Sequence, residues 1–280
     1  MTVSLLGASE IRSLANALEL HPTKSLGQNF VVDANTCKKI VRIADVKSGD
    51  RVVEIGPGLG SLTLAILQLT PKVTVVEIDS RLAGRLQETV SEHGAGAIEI
   101  VNADALKVLE LKSSPNKLVA NLPYNVSVPV LLHFLERFPS IESGVVMVQY
   151  EVADRLAAKP GSKSYGVPSA KAAWWCNLEL SDSVSRSVFW PVPNVDSALV
   201  SFRRHAPIGD EELRKATFKL IDSAFGKRRK MLRSAISDLI GSSSKSESLL
   251  IEAGIDPTAR GESLDVSQFA RLAKAWLASK

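Results

Sequence analysis

The sequence predicts an α/β protein in which a mostly parallel sheet carries helices on both faces and a smaller all-helical region follows. Three observations predict this. Between Arg51 and Gln149, β-type runs alternate with helix-type runs, the pattern of consecutive β-α-β units. Those β runs are apolar nearly throughout, as strands covered on both sides must be. From about Ile208 onward the periodicity is helical. With 280 residues the chain can bury a sizeable core and a companion domain.

Two helices are expected before the sheet, Ser9 to Leu20 and Asp33 to Ala44, the second placing Cys37, Ile40, Val41 and Ala44 on one face. The strands expected next are Arg51 to Ile55, Val73 to Glu77, Ala97 to Val101, Leu118 to Asn121 and Gly144 to Gln149. Between them, Ser61 to Leu69, Arg81 to His93 and Val128 to Phe138 read as helices. Asp79 or Ser80 would cap the second and Ser127 the third, with Pro129 suited to a first turn. After Gln149 come a helix, a Gly/Ser/Lys loop from Pro160 to Gly166 and another helix. Two more β runs, Asn177 to Val184 and Val195 to Arg203, would close a seven-stranded sheet as an antiparallel hairpin. Pro207 and Gly209 mark the junction, giving domains 1–206 and 207–280. Gly241 to Ser248 reads as a surface turn between helices.

Thirty-four Lys and Arg against 30 Asp and Glu give a net charge of +4, which permits a polyanionic partner without demanding one. Cys37 and Cys176 lack metal-knuckle spacing and read as reduced core filler in a cytoplasmic protein. Met1 to Leu20 does not have the pattern of a signal peptide, and apolar stretches such as Gly144 to Val148 reach only strand length. His21, His93, His133 and His205 show no ligand spacing, so no metal is expected.

The first chemical signal is Glu54-Ile55-Gly56-Pro57-Gly58-Leu59-Gly60, a glycine turn between strand and helix. Such a turn sets a ligand over the carboxyl edge of the sheet. A dinucleotide fingerprint would need its third small residue at position 61, where Ser stands, and Pro57 removes an N–H that would face a pyrophosphate. Glu77 ends the next strand roughly 20 residues past Gly56, where a carboxylate can accept from both ribose hydroxyls. Asp104 follows the third strand, in reach of an adenine amino group. Their joint placement favours S-adenosylmethionine over a nicotinamide cofactor.

The second signal is Asn121-Leu122-Pro123-Tyr124, at the same edge of the sheet. An adenine N6 lone pair is delocalised into the ring until the amino group is bent toward tetrahedral. Two acceptors facing its N–H bonds do this, and the Asn121 side-chain oxygen and Leu122 carbonyl form such a pair, presented by a turn that Pro123 stiffens. Tyr124 can stack on the flipped base and stabilise positive charge developing on nitrogen. No strong base is needed, because the methylated nitrogen loses its proton to water. Positioning is the protein's task.

Together with Lys24 to Phe30, Phe189 to Ser197 and Ala224 to Lys230, these strings resemble the ribosomal RNA adenine N6-dimethyltransferase family over nearly the whole chain. The likeness is strongest to its bacterial small-subunit branch, of the kasugamycin-resistance type. The resemblance implies a class I (Rossmann-like) S-adenosylmethionine-dependent methyltransferase fold with a helical C-terminal RNA-recognition domain. It implies dimethylation of two adjacent adenines in the 3′-terminal hairpin of 16S rRNA, within an immature 30S subunit, by a monomer. It assigns Asn29, Val31, Gly56, Glu77, Asp104 and Asn121 to the cofactor, which Gly58 of the glycine turn is also expected to contact, and sets Phe189 against the target base opposite Tyr124. Three positions depart from the family pattern: Val31 for Leu, Asn194 for Lys, and Gly226 for Ser or Gln.

Lys227, Arg228, Arg229, Lys230 and Arg233 form the densest basic cluster, expected on a helix and directed at RNA phosphates. Lys159, Lys163 and Tyr165 are expected on a flexible loop able to fold over the RNA. Alternatives are a large-subunit adenine methyltransferase of the macrolide-resistance type, or a nucleic-acid-binding factor that keeps the fold without turnover.

Overall fold

In the computed structural model, which describes residues 3–20 and 29–279, the β-type runs become strands; those ending at Ile55, Glu77, Asn121 and Gln149 bury their apolar side chains, whereas the strand ending at Asn102 is only half-buried. The part of the first family string from Lys24 to Gln28, and His21, lie outside the described residues. The order is α1 (Ala8–Ala17), β1 (Phe30–Val31), α2 (Ala34–Ile43), β2 (Val52–Ile55), α3 (Ser61–Leu67), β3 (Val73–Glu77), α4 (Ser80–Glu92), β4 (Glu99–Asn102), β5 (Lys117–Asn121), α5 (Ser127–Arg137) and β6 (Ser143–Gln149). There follow α6 (Tyr150–Ala157), α7 (Val167–Ala172), β7 (Cys176–Val184), β8 (Phe189–Trp190), β9 (Ser197–Arg204), α8 (Glu211–Gly226), α9 (Leu232–Ala235), α10 (Ser237–Ile240), α11 (Ser243–Glu252) and α12 (Val266–Ala278).

The sheet has seven strands in the order β4-β3-β2-β5-β6-β9-β7. β2 to β6 run parallel, and β9 joins antiparallel to β6, from Ser143↔Arg203 to Gln149↔Ser197. The expected closing pair is therefore present, with the later strand inserted inside the earlier one. A second, two-stranded sheet pairs β1 with β8, Phe30 opposite Trp190 and Val31 opposite Phe189. This is the class I methyltransferase architecture. Reversal of strand order on either side of β2 and β5 creates the crevice at their carboxyl ends where such folds bind ligands.

Local signals behave as the chemistry dictates, with two differences. Asp79 caps α4 by accepting from the Arg81 amide at 2.9 Å, but α5 is preceded by Val126, and Ser127 is its first residue. The Ser127 hydroxyl donates back to the Tyr124 carbonyl at 3.4 Å instead of capping forward. Gly241 alone makes the expected turn, in a left-handed conformation, and Ser242 caps α11 directly afterwards, so most of the stretch to Ser248 is helical. Cys37 and Cys176 are both buried thiols, as core filler should be.

Two compact units divide the chain differently from the expected boundary at Pro207. One comprises the chain to Ala153 with Glu179–Arg204; the other comprises Asp154–Leu178 with His205 onward. The reason is packing: Tyr165 and Ala170 are buried in the core that α8, α11 and α12 supply through Leu220, Leu250 and Phe269. Tyr165, expected on a loop over RNA, is only 2% exposed and meets the Phe225 ring edge-on at 5.8 Å.

Candidate functional site

The end of β2 turns into α3 through three glycines with positive φ, +69° at Gly56, +57° at Gly58 and +99° at Gly60. That region of backbone space costs any residue with a Cβ. At Gly58 a Cβ would lie 3.0 Å from the Phe30 ring, and at Gly60 it would lie 2.9 Å from Leu86 Cδ1. The third glycine thus leaves room for the Leu86 side chain of α4 at the start of α3.

Glu77 closes β3 and is 5% exposed, so it is no solvated strand end. Its Oε2 accepts from the Gly58 amide at 3.1 Å and its Oε1 from the Asp79 amide at 3.0 Å. Burial raises its pKa above the ordinary value, partly offset by these backbone bonds. Each oxygen keeps a lone pair with which to accept a ligand hydroxyl. Asp104 caps a short 3-10 turn, Ala105–Lys107, by accepting from the Leu106 amide at 3.0 Å, and it also lines the cleft.

Asn121 ends β5, and its side-chain Nδ2 donates to the Asn29 carbonyl at 3.1 Å. That bond orients the amide so that Oδ1 is the acceptor left for a ligand. The Leu122 amide donates to the Met147 carbonyl of β6 at 3.0 Å. The Tyr124 hydroxyl lies 2.8 Å from Ser197 Oγ, and burial raises the phenol pKa, partly offset by that hydrogen bond. Tyr124 therefore stays a neutral phenol at pH 7.

One cleft is lined by all seven residues assigned to the cofactor, Asn29, Val31, Gly56, Gly58, Glu77, Asp104 and Asn121, and by Leu122 and Tyr124. The lining suits an adenosine: a buried carboxylate for the ribose, backbone-approachable glycines, and apolar walls from Ile78 and Ala103. Glu54, the first residue of the glycine string, also lines the cleft at 1% exposure. Thr63 Oγ1 donates to its Oε2 at 2.6 Å, and burial pushes its pKa up to about 8. The signal for it was an acid inside a strand otherwise made of Val and Ile.

Phe189 lies apart from the residues that line the cleft among the described residues. It is 1% exposed, within the core that contains Ile40, Met147 and Leu199. The cause is the β1–β8 pairing, which sets Phe189 opposite Val31, while its neighbour Trp190 stacks on Phe30 at 6.2 Å. In this arrangement its ring offers no face to a base.

The basic cluster, in the second unit, is likewise not helical over most of its length. α8 stops at Gly226, the position that departs from the family pattern, and 227–230 form a turn before α9, which carries Arg233. Lys227 pairs with Asp238 at 2.7 Å, Arg228 with Glu262 at 2.7 Å and Arg233 with Glu247 at 3.0 Å. Arg228 also donates to the Lys163 carbonyl at 2.8 Å. Arg229 and Lys230 are exposed and carry no ion pair among the described residues. His93 is the C-cap of α4, His133 and His205 bond backbone carbonyls, and no group of three potential ligands among the described residues could hold a metal. Among the described residues, no helix is long and apolar enough to cross a membrane.

Known proteins resemble this chain over nearly its whole length. "Ribosomal RNA small subunit methyltransferase A" of Leifsonia xyli subsp. xyli is 57% identical over 273 residues, covering 96% of this chain and 98% of its own. The protein of the same name from Streptomyces coelicolor is 54% identical over 276 residues, covering 97% and 96%. Among solved structures, a dimethyladenosine transferase from Plasmodium falciparum superposes with a TM-score of 0.72 at 25% identity, over 86% of this chain and 94% of that one. The 23S rRNA methyltransferase ErmE superposes at 0.67 with 28% identity, over 88% and 99%. The sequence profile of the ribosomal RNA adenine dimethylase family matches residues 20–277, and the chain belongs to that family.

Proposed function

We propose that this enzyme transfers methyl groups from S-adenosylmethionine to N6 of two adjacent adenines in the 3′-terminal hairpin of small-subunit (16S) rRNA. It would act on an immature 30S subunit and so serve small-subunit biogenesis. The observation that carries the reading is the Asn121–Asn29 hydrogen bond, which turns an acceptor toward the cleft that Glu77 and the glycine turn also line. The relatives named for the small subunit, at 57% and 54% identity, favour it over a large-subunit target, although ErmE shares the fold.

The bound cofactor supplies an electrophilic methyl group on a sulfonium. The chain's own residues do the rest. Glu77 holds the ribose, the turn at Gly56 and Gly58 lets backbone approach it, and Asp104 meets the adenine amine. Asn121 Oδ1 and the Leu122 carbonyl accept from the two N–H bonds of the target amine and bend it toward a nucleophilic geometry. The neutral Tyr124 ring stacks on the base and stabilises the positive charge that develops on N6. The flipped base is released from an RNA loop, whose backbone Arg229 and Lys230 would hold.

The test is to incubate the protein and labelled S-adenosylmethionine with immature small subunits and, separately, with large-subunit RNA. Label on two neighbouring adenines near the 3′ end of 16S rRNA is expected; label on large-subunit RNA alone overturns the reading.

A further inference from the structure

The tetrapeptide that grips the amine is pinned at both ends to one pair of neighbouring strands. At one end the Leu122 amide donates to the Met147 carbonyl in β6 at 3.0 Å. At the other, the Tyr124 hydroxyl meets Ser197 Oγ at 2.8 Å. Ser197 opens β9, lies opposite Gln149 of β6 and is 0% exposed. The first pin is backbone. The second is a single hydroxyl that does not itself line the cleft among the described residues.

The two transfers to one nitrogen make unequal use of these pins. In each, the N6 lone pair forms a bond to the methyl carbon while the carbon–sulfur bond breaks onto sulfur, and one N6 proton then passes to water. The unmodified amine offers two N–H bonds to two acceptors, Asn121 Oδ1 and the Leu122 carbonyl. After the first transfer one N–H remains, and one acceptor has no partner. Hydrogen bonding then fixes the base less well, and the aromatic face carries more of the alignment.

Resting on the function proposed above, we infer that Ser197 is a positioning residue for the second methyl transfer. By bonding the Tyr124 hydroxyl it fixes the ring against which the monomethylated adenine must lie. Ser197 is fully buried, which keeps its end of this part-buried bond from exchanging its partner for bulk water, so the bond is worth more than an exposed one.

The experiment is a single-turnover time course on immature small subunits with saturating S-adenosylmethionine, resolving monomethyl and dimethyl adenine by mass spectrometry. Ser197→Ala is expected to slow the second transfer about tenfold and the first by under about threefold, the difference being the net worth of one part-buried hydrogen bond. Monomethyl adenine accumulates as a result. Ser197→Thr, which keeps the hydroxyl, restores dimethylation, and Ser197→Ala adds nothing in a Tyr124→Phe background. Equal slowing of both transfers, or additive effects of the two substitutions, overturns the inference and leaves Ser197 a core residue. If Ser197→Ala does not fold, Tyr124→Phe decides from the other side: an unchanged product ratio there also overturns it. A wild type that labels no small-subunit adenine sinks the functional reading itself, before any variant is compared.

Discussion

Asn121 Nδ2 donates to the backbone carbonyl of Asn29 at 3.1 Å, joining residues 92 positions apart in the chain. The bond makes the amide's orientation a property of the fold, with the oxygen committed to accepting. Asn121→Ala removes that acceptor, and Asn121→Asp removes the N–H and sets a carboxylate against the Asn29 carbonyl. Both are expected to lower turnover at saturating cofactor and RNA by on the order of 100-fold or more, as loss of one aligned group in a reacting constellation does. Circular dichroism should show Asn121→Ala still folded. A near-normal rate in that variant removes Asn121 from the chemistry.

A second expectation concerns pH. Glu54 in the folded chain binds its proton up to about pH 8, whereas in the unfolded chain it titrates near 4.5. Over that window the folded state holds more protons than the unfolded one, so stability is full below about pH 4.5 and declines as pH rises toward 8. Glu54→Gln keeps the acceptor for Thr63 and removes the titration. Wild type and variant should melt alike near pH 5, and the variant should melt higher at pH 9. A difference that stays flat with pH contradicts the raised pKa.

Much of this was legible in the chain, for physical reasons. The expected Val73 to Glu77 strand is β3 to the residue, and Lys117–Asn121 and Ser143–Gln149 each begin one residue early, because a strand buried on both faces is an unbroken apolar run. The glycine turn and the tetrapeptide were legible because their chemistry is local. What pairs across long separations was not. Nothing in the string around Tyr124 names Ser197, 73 residues on, as the partner of its hydroxyl. Nothing in Lys227, Arg228 or Arg233 shows that Asp238, Glu262 and Glu247 stand beside them. The helical unit also recruits Tyr165 and Ala170 from before the last two strands of the sheet, a decision of tertiary packing that no local pattern records.

Those ion pairs sharpen the expectation for RNA binding. Lys227, Arg228 and Arg233 are already partnered, and exposed pairs are worth little, so their net contribution to phosphate binding is reduced by the acids beside them. Arg229 and Lys230 carry no ion pair among the described residues. Replacing both with Ala should reduce the log-log salt slope of RNA binding by roughly 1.4 to 1.8 units, about 0.7 to 0.9 per phosphate contact, for every RNA sequence alike. A slope unchanged by the double substitution would make the turn a solvated face only.

Phe189 distinguishes a core residue from a stacking one. Its ring is 1% exposed and lies in the main core, so truncation should leave a cavity. Phe189→Ala is expected to cost about 3 to 5 kcal/mol and lower the melting temperature by on the order of 10 °C. Phe189→Leu, which refills most of the space without an aromatic face, should recover most of that stability. The decisive quantity is turnover per folded molecule at saturating cofactor and RNA. If the ring only packs, the Leu variant works at close to the wild-type rate, since Tyr124 and the acceptors of Asn121 and Leu122 are untouched. If the ring leaves the core to stack on the base, the same variant folds and yet fails to turn over. The burial and the Val31↔Phe189 pairing favour the first result, and a folded but inactive Leu variant would show that β8 rearranges when RNA binds.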